Sequence, residues 1–595
     1  MKLYRITYNR IKTTIDWLKL KLTKKQFILF SSVLVGLTAG LSAIALKLFV
    51  HFIFYVATYE KLSNFKYFYL FLPIIGIALT VLVVKKILNN NLERGLSQVH
   101  VSIAKRSSFM KRHKMYDQVI TSSLTVGMGG SVGLEAPIVV TGAALGSNYA
   151  KTYKLNYKER TLILACGISA GIGAAFNAPI AGVLFALEVL LLDISISAFT
   201  PLIIAAATGA LISKVILHEN ILLSFELKDV FNYFNVPFYI LLGVLCGFVS
   251  VYHSRMFTHI EGLFHKRPGR EYQKVMVGGI LLATLIALFP SLFGEGYQSI
   301  KELASQEPVQ IMSNSIVESL VKNEWVILLV IGLLVLLKSI ATGLTLGAGG
   351  NGGNFAPSLF VGAYLGFFFS RLVNLLKINE LPENNFTIVG MAGILSGLYH
   401  APLTAIFLIA EITGGYTLMI PLMIVSSISF AISRYFEPFS MDTKKIAKSG
   451  DVFTQDRDRN LLNTIQTAEF IENDYPTLSQ NDTLGKLAAI VANSKRNVFP
   501  VVDEEHNFYG IVILDDIREI MFKRDFYDKI TVNELLIVPS DVVSSKQSML
   551  EVMKKFDDSG TWFLPVVDAG VYVGFISKSN VFSGYRNRLK VTTIE

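Results

Sequence analysis

The chain has 595 residues, 52% of them hydrophobic and only 17% charged, with a formal net charge of +10 and a mean hydropathy of +0.48. Soluble domains carry about 25% charged residues, so a wholly soluble protein is excluded. The only cysteines, Cys166 and Cys246, sit in apolar segments without metal-ligand spacing; they read as packing residues, and no disulfide framework is expected.

Residues 1–25 carry Lys2, Arg5, Arg10, Lys12, Lys19, Lys21, Lys24 and Lys25 against one acid, Asp16. No small-residue cleavage site follows a short apolar core, so this stretch is not read as a secretory signal peptide. The positive-inside rule places it in the cytoplasm, with the basic loop 105–114 (KRSSFMKRHK) on the same side. Membrane topology accounts for the positive charge, and no nucleic-acid partner is expected. Apolar runs near the ~20 residues that span a bilayer follow at 27–55, 68–88, 199–217, 237–253, 275–293, 324–348 and 418–433. After residue 440 the chain turns polar. The expected organisation is a basic terminus (1–25), a membrane domain (26–440), a linker (441–465) and a soluble tail (466–595), with both termini cytoplasmic in a plasma or inner membrane.

The membrane domain repeats itself. GGSVGLEAPIVVTGAALG (129–146) matches GGNGGNFAPSLFVGAYLG (349–366) at a shift of 220, and AFNAPIAGVLFALEV (175–189) matches LYHAPLTAIFLIAEI (398–412) at a shift of 223. The halves run over about 26–217 and 237–440. Gly-rich breaks at matching places in two apolar halves point to a binding site between broken membrane helices. Glycine turns the chain out of helical geometry without a Cβ penalty, and proline suits a first helical turn, so Pro137 and Pro357 are expected to start helices. The unpaired N–H groups and positive dipole end of such starts form an anion site. A divalent-cation carrier would instead want acids along its path. GGSVG (129–133) also fits the G-x-S-x-G pattern of a serine hydrolase, but Ser131 pairs with Asn351 and His400 with Asn177, so neither group is kept between halves. No enzyme is expected.

GSVGLEAP resembles the GREGP motif of the CLC chloride channel and transporter family, and GGNFAPSLFVGAYLG resembles its GxFxP motif. AAFNAPIAGVLFALE and HAPLTAIFLIAEITGGY match later helices of that family. The resemblance implies an all-α polytopic membrane domain of two inverted repeats with broken helices, usually a homodimer with one anion pathway per subunit. It implies chloride as the transported ion and Glu135 as a gate, since a carboxylate can occupy the anion site itself and swing aside when protonated. Intramembrane acids are functional candidates in any case. Gly133, Leu134, Gly353, Asn354 and Phe355 carry over as anion-binding positions. Leu134 and Ala136 stand where the motif has Arg and Gly, which removes a fixed positive charge. The family's pore serine aligns with Leu96, with Ser97 the nearest hydroxyl, and its pore tyrosine aligns with Asp442. In many family exchangers a glutamate follows the acid of the FALE helix; here Glu188 is followed by Val189. An aliphatic side chain relays no proton, which favours a passive chloride channel over the alternative, a proton-coupled chloride exchanger using the same gate. Glu188 and Glu411 read as buried structural acids, and Lys338 either pairs with an acid or snorkels.

The tail has its own repeat. PVVD recurs at 500–503 and 565–568, each followed by a glycine and an apolar strand and preceded by an amphipathic helix, 483–494 and 548–560. This resembles a tandem CBS pair, an α+β module that often binds adenine nucleotides (ATP, ADP or AMP) and regulates an attached membrane protein. No other cofactor is implied. The nucleotide signature is half-matched in each copy: Ser577 and Asn580 in the second, Ile513 and Asp516 in the first.

Overall fold

The computed structural model describes residues 13–58, 68–89, 92–190, 198–217, 223, 231–265, 269, 271–304, 323–448 and 465–594. Lys2, Arg5, Arg10, Lys12 and most of the 441–465 linker lie outside them. The chain forms two compact units, Met1–Ser449 and Gly450–Glu595.

The first unit is all helix. Its first half contains α1 (Lys24–Ala57), α2 (Leu72–Lys86), α3 (Ser97–Lys105), α4 (Asp117–Gly127), α5 (Glu135–Thr152), α6 (Tyr157–Phe176), α7 (Pro179–Glu188) and α8 (Phe199–Leu217). The second contains α9 (Val236–His265), α10 (Glu271–Leu288), α11 (Tyr297–Ala304), α12 (Glu324–Gly347), α13 (Phe355–Leu375), α14 (Glu383–Tyr399), α15 (Pro402–Ile412), α16 (Met419–Phe436) and α17 (Met441–Lys448). Among the described residues nine helices are long and apolar enough to cross a membrane, and α7 and α15 are shorter apolar pieces.

The repeat of the sequence is a repeat of packing. α5 lies along α6 as α13 lies along α14, and the matched glycines make both approaches close. A Cβ on Gly146 would fall 2.3 Å from Ile163 O, and one on Gly366 would fall 2.0 Å from Phe386 O. α6 and α14 both end on a non-glycine residue in the left-handed region, Asn177 (φ 53°) and His400 (φ 55°). Pro179 and Pro402 then open α7 and α15 at the first helical position, where a missing N–H costs nothing. α5 and α13 begin at Glu135 and Phe355, two residues before Pro137 and Pro357. The expected proline start is thus displaced, because the first four amides of a helix are all unpaired and tolerate proline there.

Both cysteines are free and buried. The basic loop is partly folded inward: Lys114 is buried and pairs with Glu93 at 2.7 Å.

The second unit holds two copies of one small motif. α18 (Leu484–Asn493), β1 (Val498–Val502), β2 (Phe508–Ile513) and α19 (Leu514–Ile517) form the first. α20 (Met549–Ser559), β3 (Phe563–Asp568), β4 (Val571–Ser577) and α21 (Lys578–Ile594) form the second. Each strand pair is antiparallel with its register break at the same place, Val501/Val502 and Val566/Val567. Phe499, Val501 and Val512 face one core, Leu564, Val566 and Ile576 another. Tyr475, Val498, Ile511 and Phe575 form a third cluster drawn from both copies.

Candidate functional site

Two loops, 128–134 before α5 and 348–354 before α13, meet at the centre of the membrane unit. Gly129 (φ 87°) and Gly349 (φ 115°) turn each loop out of the helix before it, a conformation that side chains other than glycine adopt only with strain. Gly133 and Gly353 then pair as an antiparallel bridge, each N–H donating to the other's carbonyl at 2.8 Å. The halves also exchange threonines: Ser131 N–H donates to Thr345 Oγ1 (3.2 Å) and Asn351 N–H to Thr125 Oγ1 (3.0 Å). Paired this way, non-helical backbone is tolerated inside a membrane protein.

The starts of α5 and α13 converge on this bridge. A Cβ on Gly133 would fall 3.1 Å from Ala356 N, and one on Gly353 would fall 3.1 Å from Ala136 N. First-turn amides lack intrahelical partners, so each helix brings donors to the other's loop. Phe355 fixes the start of α13 through ring contacts with Phe176, Phe185 and Tyr399.

A cavity of about 50 Å³ adjoins the crossing. Of the positions singled out in the sequence, Leu96, Ser97, Glu135, Gly353, Asn354, Phe355 and Asp442 line it, although they come from four separate stretches of chain. Gly133 and Leu134 differ from expectation. Neither lines the cavity: Gly133 is bonded to Gly353, and the Leu134 amide is already donated to Glu295 Oε1 at 3.1 Å.

Glu135 is 4% exposed. Its Oε1 accepts from the Tyr297 hydroxyl at 2.7 Å. Its Oε2 has no hydrogen-bond partner among the described residues and borders the same gap as Ala356 N, since a Cβ on Gly133 would fall 2.1 Å from it. A carboxylate therefore stands at the convergent helix starts, where an anion would be held. Val189 is buried at the end of α7.

Glu188 and Glu411 have reciprocal tasks. Glu188 takes the amides of Leu403 (3.1 Å) and Thr404 (2.7 Å) and the Thr404 hydroxyl (2.8 Å) at the start of α15. Glu411 takes the amides of Ile180 (3.1 Å) and Ala181 (2.8 Å) at the start of α7. Each half-helix is capped by the acid that ends the other. Lys338 does not snorkel, and among the described residues it forms no close ion pair. It is buried, donates to Ser131 Oγ (2.9 Å) and Gly294 O (3.1 Å), and lies 4.8 Å from the centre of the Phe360 ring. Ser131 is thereby engaged by Lys338, and the His400 ring packs edge-on against Phe430.

Four participants went unremarked in the sequence. Arg94 lines the cavity and donates to Gly349 O at 2.9 Å, a cation at the cavity wall where Leu134 supplies none. Tyr399 lines the same cavity beside Asp442. His253, fully buried, meets Asn354 Oδ1 at 3.0 Å. Tyr297 holds Glu135. Only Tyr297 had a visible signal, the FGEGY turn (293–297) between two apolar stretches.

In the tail, Ser577 donates to Glu472 Oε1 at 2.5 Å and takes the Asn580 amide at 3.3 Å, so it caps α21. Arg496 pairs with Glu472 at 2.8 Å and also with Asp474, and it lies over the Tyr475 ring at 4.3 Å. The guanidinium holds the Asp474 carboxyl below the usual range, and burial pushes the Tyr475 hydroxyl up to about 12. Asp516 is exposed on α19.

Comparison with known proteins places these features. The family model described as voltage-gated chloride channel matches residues 76–434, and the CBS-domain model matches 468–523. The voltage-gated ClC-type chloride channel ClcB of Escherichia coli (strain ED1a) is 29% identical over 331 residues, covering 55% of this chain and 75% of its own. The structure of a slow cyanobacterial Cl⁻/H⁺ antiporter superposes with a TM-score of 0.61 at 20% identity, over 72% of this chain and 98% of that one. A eukaryotic CLC transporter gives a TM-score of 0.61 at 19% identity, over 93% and 97%. At these identities the two structures establish the fold.

Proposed function

The chain belongs to the voltage-gated chloride channel family, and from that membership we propose that it is a passive chloride channel whose gate is Glu135. One observation carries the reading: a buried carboxylate occupies the gap between two convergent helix starts, bordering the Ala356 amide and lining the cavity. An unassisted buried halide would be prohibitively costly, and helix-start amides are the groups that replace its water. A carboxylate in that place competes with the halide for the same donors. Protonation removes the charge and releases them. Gly353, Asn354 and Phe355 supply the cradle, with Ser97 at its edge. Val189, buried and aliphatic, supports passive flow because it offers no proton relay.

The second reading is a proton-coupled chloride exchanger with the same gate. It is favoured by the similar folds whose titles describe a Cl⁻/H⁺ and a fluoride/proton antiporter. Purified protein in planar bilayers under combined chloride and pH gradients separates the two. A reversal potential set by chloride alone supports the channel, and one that moves with the proton gradient supports the exchanger. Glu135→Gln should raise chloride flux at neutral pH and abolish its pH dependence; unchanged flux and pH dependence would remove Glu135 as the gate.

The CBS pair is proposed as a cytoplasmic regulator. An adenine nucleotide at Ser577 and Asn580 would displace Glu472 from the Ser577 hydroxyl, while Asp516, on α19, carries the other half of the signature. The working unit is proposed as a homodimer in a plasma or inner membrane, joined through the apolar outer residues Ile180, Leu403, Ile420 and Met423.

A further inference from the structure

Within the segment Gly294–Tyr297, Gly294, Glu295 and Tyr297 are each tied to the gate loop. Gly294 N–H donates to Gly129 O at 3.0 Å, and Lys338 bridges Gly294 O to Ser131 Oγ. Glu295 Oε1 takes the Leu134 amide, and the Tyr297 hydroxyl donates to Glu135 Oε1 at 2.7 Å. Gly129 lies hard against Phe293, with a Cβ there only 2.1 Å from the ring. This segment therefore moves with the loop that carries Glu135, and it places one donor and one acid on the two residues where α5 begins.

We propose that Tyr297 is a positioning residue that clamps the Glu135 carboxylate over the amide gap, and that Glu295 opposes the clamp as a second negative charge beside it. A phenol O–H donated to a carboxylate is a charge-assisted bond, about twice as strong as a neutral one. It favours the gate's charged, seated form over the protonated form that leaves. Glu295 acts in the other direction, because two like charges at one site disfavour each other. Its bond to the Leu134 amide holds it there and uses the donor that would otherwise face an ion. Other charged or titratable groups within reach of the pair are Lys47 on α1, near both carboxylates, Lys338 on α12, near Glu295, and Tyr399 on α14, near Glu135. The Tyr297 hydroxyl is a direct side-chain hold on Glu135 Oε1, and the backbone amides of Glu135 and Ala356 also face this carboxylate.

The proposal rests on Glu135 being the gate, and its test separates the two. Chloride efflux from vesicles holding the full chain is measured against pH for the unsubstituted protein, Tyr297→Phe, Glu135→Gln and the double variant. Tyr297→Phe is expected to raise efflux on the order of tenfold at alkaline pH, where the seated carboxylate limits flow, by loss of one hydrogen bond to a charged group. Efflux at acid pH should be unchanged, so the midpoint moves toward neutral pH. In the Glu135→Gln background Tyr297→Phe should add nothing. A Tyr297→Phe profile that superimposes on the parent's, or an equal gain in both backgrounds, overturns the clamp. If Glu135→Gln itself leaves efflux and pH dependence unchanged, the gate reading fails instead. Should Tyr297→Phe not fold, Glu295→Gln decides: it keeps an acceptor for the Leu134 amide and removes the opposing charge, so the midpoint should move to lower pH, and an unmoved midpoint overturns the proposal.

Discussion

Removing Glu188 should cost stability and leave the ion pathway intact. Its carboxylate accepts three hydrogen bonds at the start of α15. The Leu403 amide belongs to a residue 51% exposed and counts little, whereas Thr404 is 2% exposed and brings two buried donors. A hydrogen bond to a charged group contributes about 1.5–3 kcal/mol, and a buried donor left without an acceptor loses about as much. Glu188→Ala should therefore destabilise the membrane unit by about 3–5 kcal/mol. Glu411→Ala, with the one buried donor of Ala181, should cost about 2 kcal/mol. Glu188→Gln keeps one oxygen as acceptor and should lose roughly half of the Ala effect. Denaturant unfolding in mixed micelles reads the order Glu188→Ala, then Glu411→Ala, then the parent, while vesicle chloride flux per folded protein stays within twofold, roughly the scatter expected when no transport group is touched. The reasoning is refuted if Glu188→Ala unfolds like the parent but alters the pH dependence of flux. That result would put Glu188 on a proton route and favour the exchanger.

Two further substitutions test the packing and the tail. Gly366→Ala puts a methyl 2.0 Å from Phe386 O, and Gly146→Ala one 2.3 Å from Ile163 O. Both obstacles are backbone, so α13 must part from α14 and α5 from α6, at about 1–3 kcal/mol or more each. Unfolding midpoints should fall alike for the two, and a parent-like midpoint for either refutes that contact. Glu472→Gln removes the acid held by Ser577 and Arg496. Calorimetry on the full chain should then show adenine nucleotide binding on the order of tenfold tighter, the scale of one lost charge repulsion or about 1.4 kcal/mol; unchanged or weaker binding refutes the competition.

The repeat was legible because it is written in glycines and prolines, whose backbone demands survive when side chains diverge. The long outer helices were legible because lipid requires apolar faces: 199–217 as an apolar run is α8 residue for residue. α6 and α13 escaped that reading although both are long enough to span. They are largely buried within the protein, 83% and 72% of their most apolar windows. Facing other helices rather than lipid, they are selected for small residues such as Gly167 and Gly362 more than for hydropathy. At the site, Glu135, Asn354 and Phe355 sit in contiguous motifs and were found. Arg94 and Tyr399 were missed because each reaches the cavity from another stretch of chain, and His253 because it meets Asn354 rather than the cavity itself; nothing local in their sequence marks these approaches. Asp442 does line the cavity, and Tyr399 lines it too.

Of the bonds that cross between the halves, three sets are mirrored: Gly133 with Gly353, the exchanged Thr125 and Thr345, and the caps of Glu188 and Glu411. Bonds of this kind fix the two helix starts against each other from both sides, so neither can drift without breaking its counterpart. At a shift of 220, however, Glu135 corresponds to Phe355 and Leu134 to Asn354. Symmetric scaffolding therefore presents two unlike residues to one gap. Phe355 is locked by three rings and keeps its helix start permanently available. Glu135 is held by the Tyr297 phenol bond beside the Ala356 amide. The rigid half is suited to cradle an ion, and the half with a removable charge is suited to admit or exclude it. Gating, on this view, arises where the duplication was broken, and the bonds that kept it intact elsewhere are what let a single carboxylate decide.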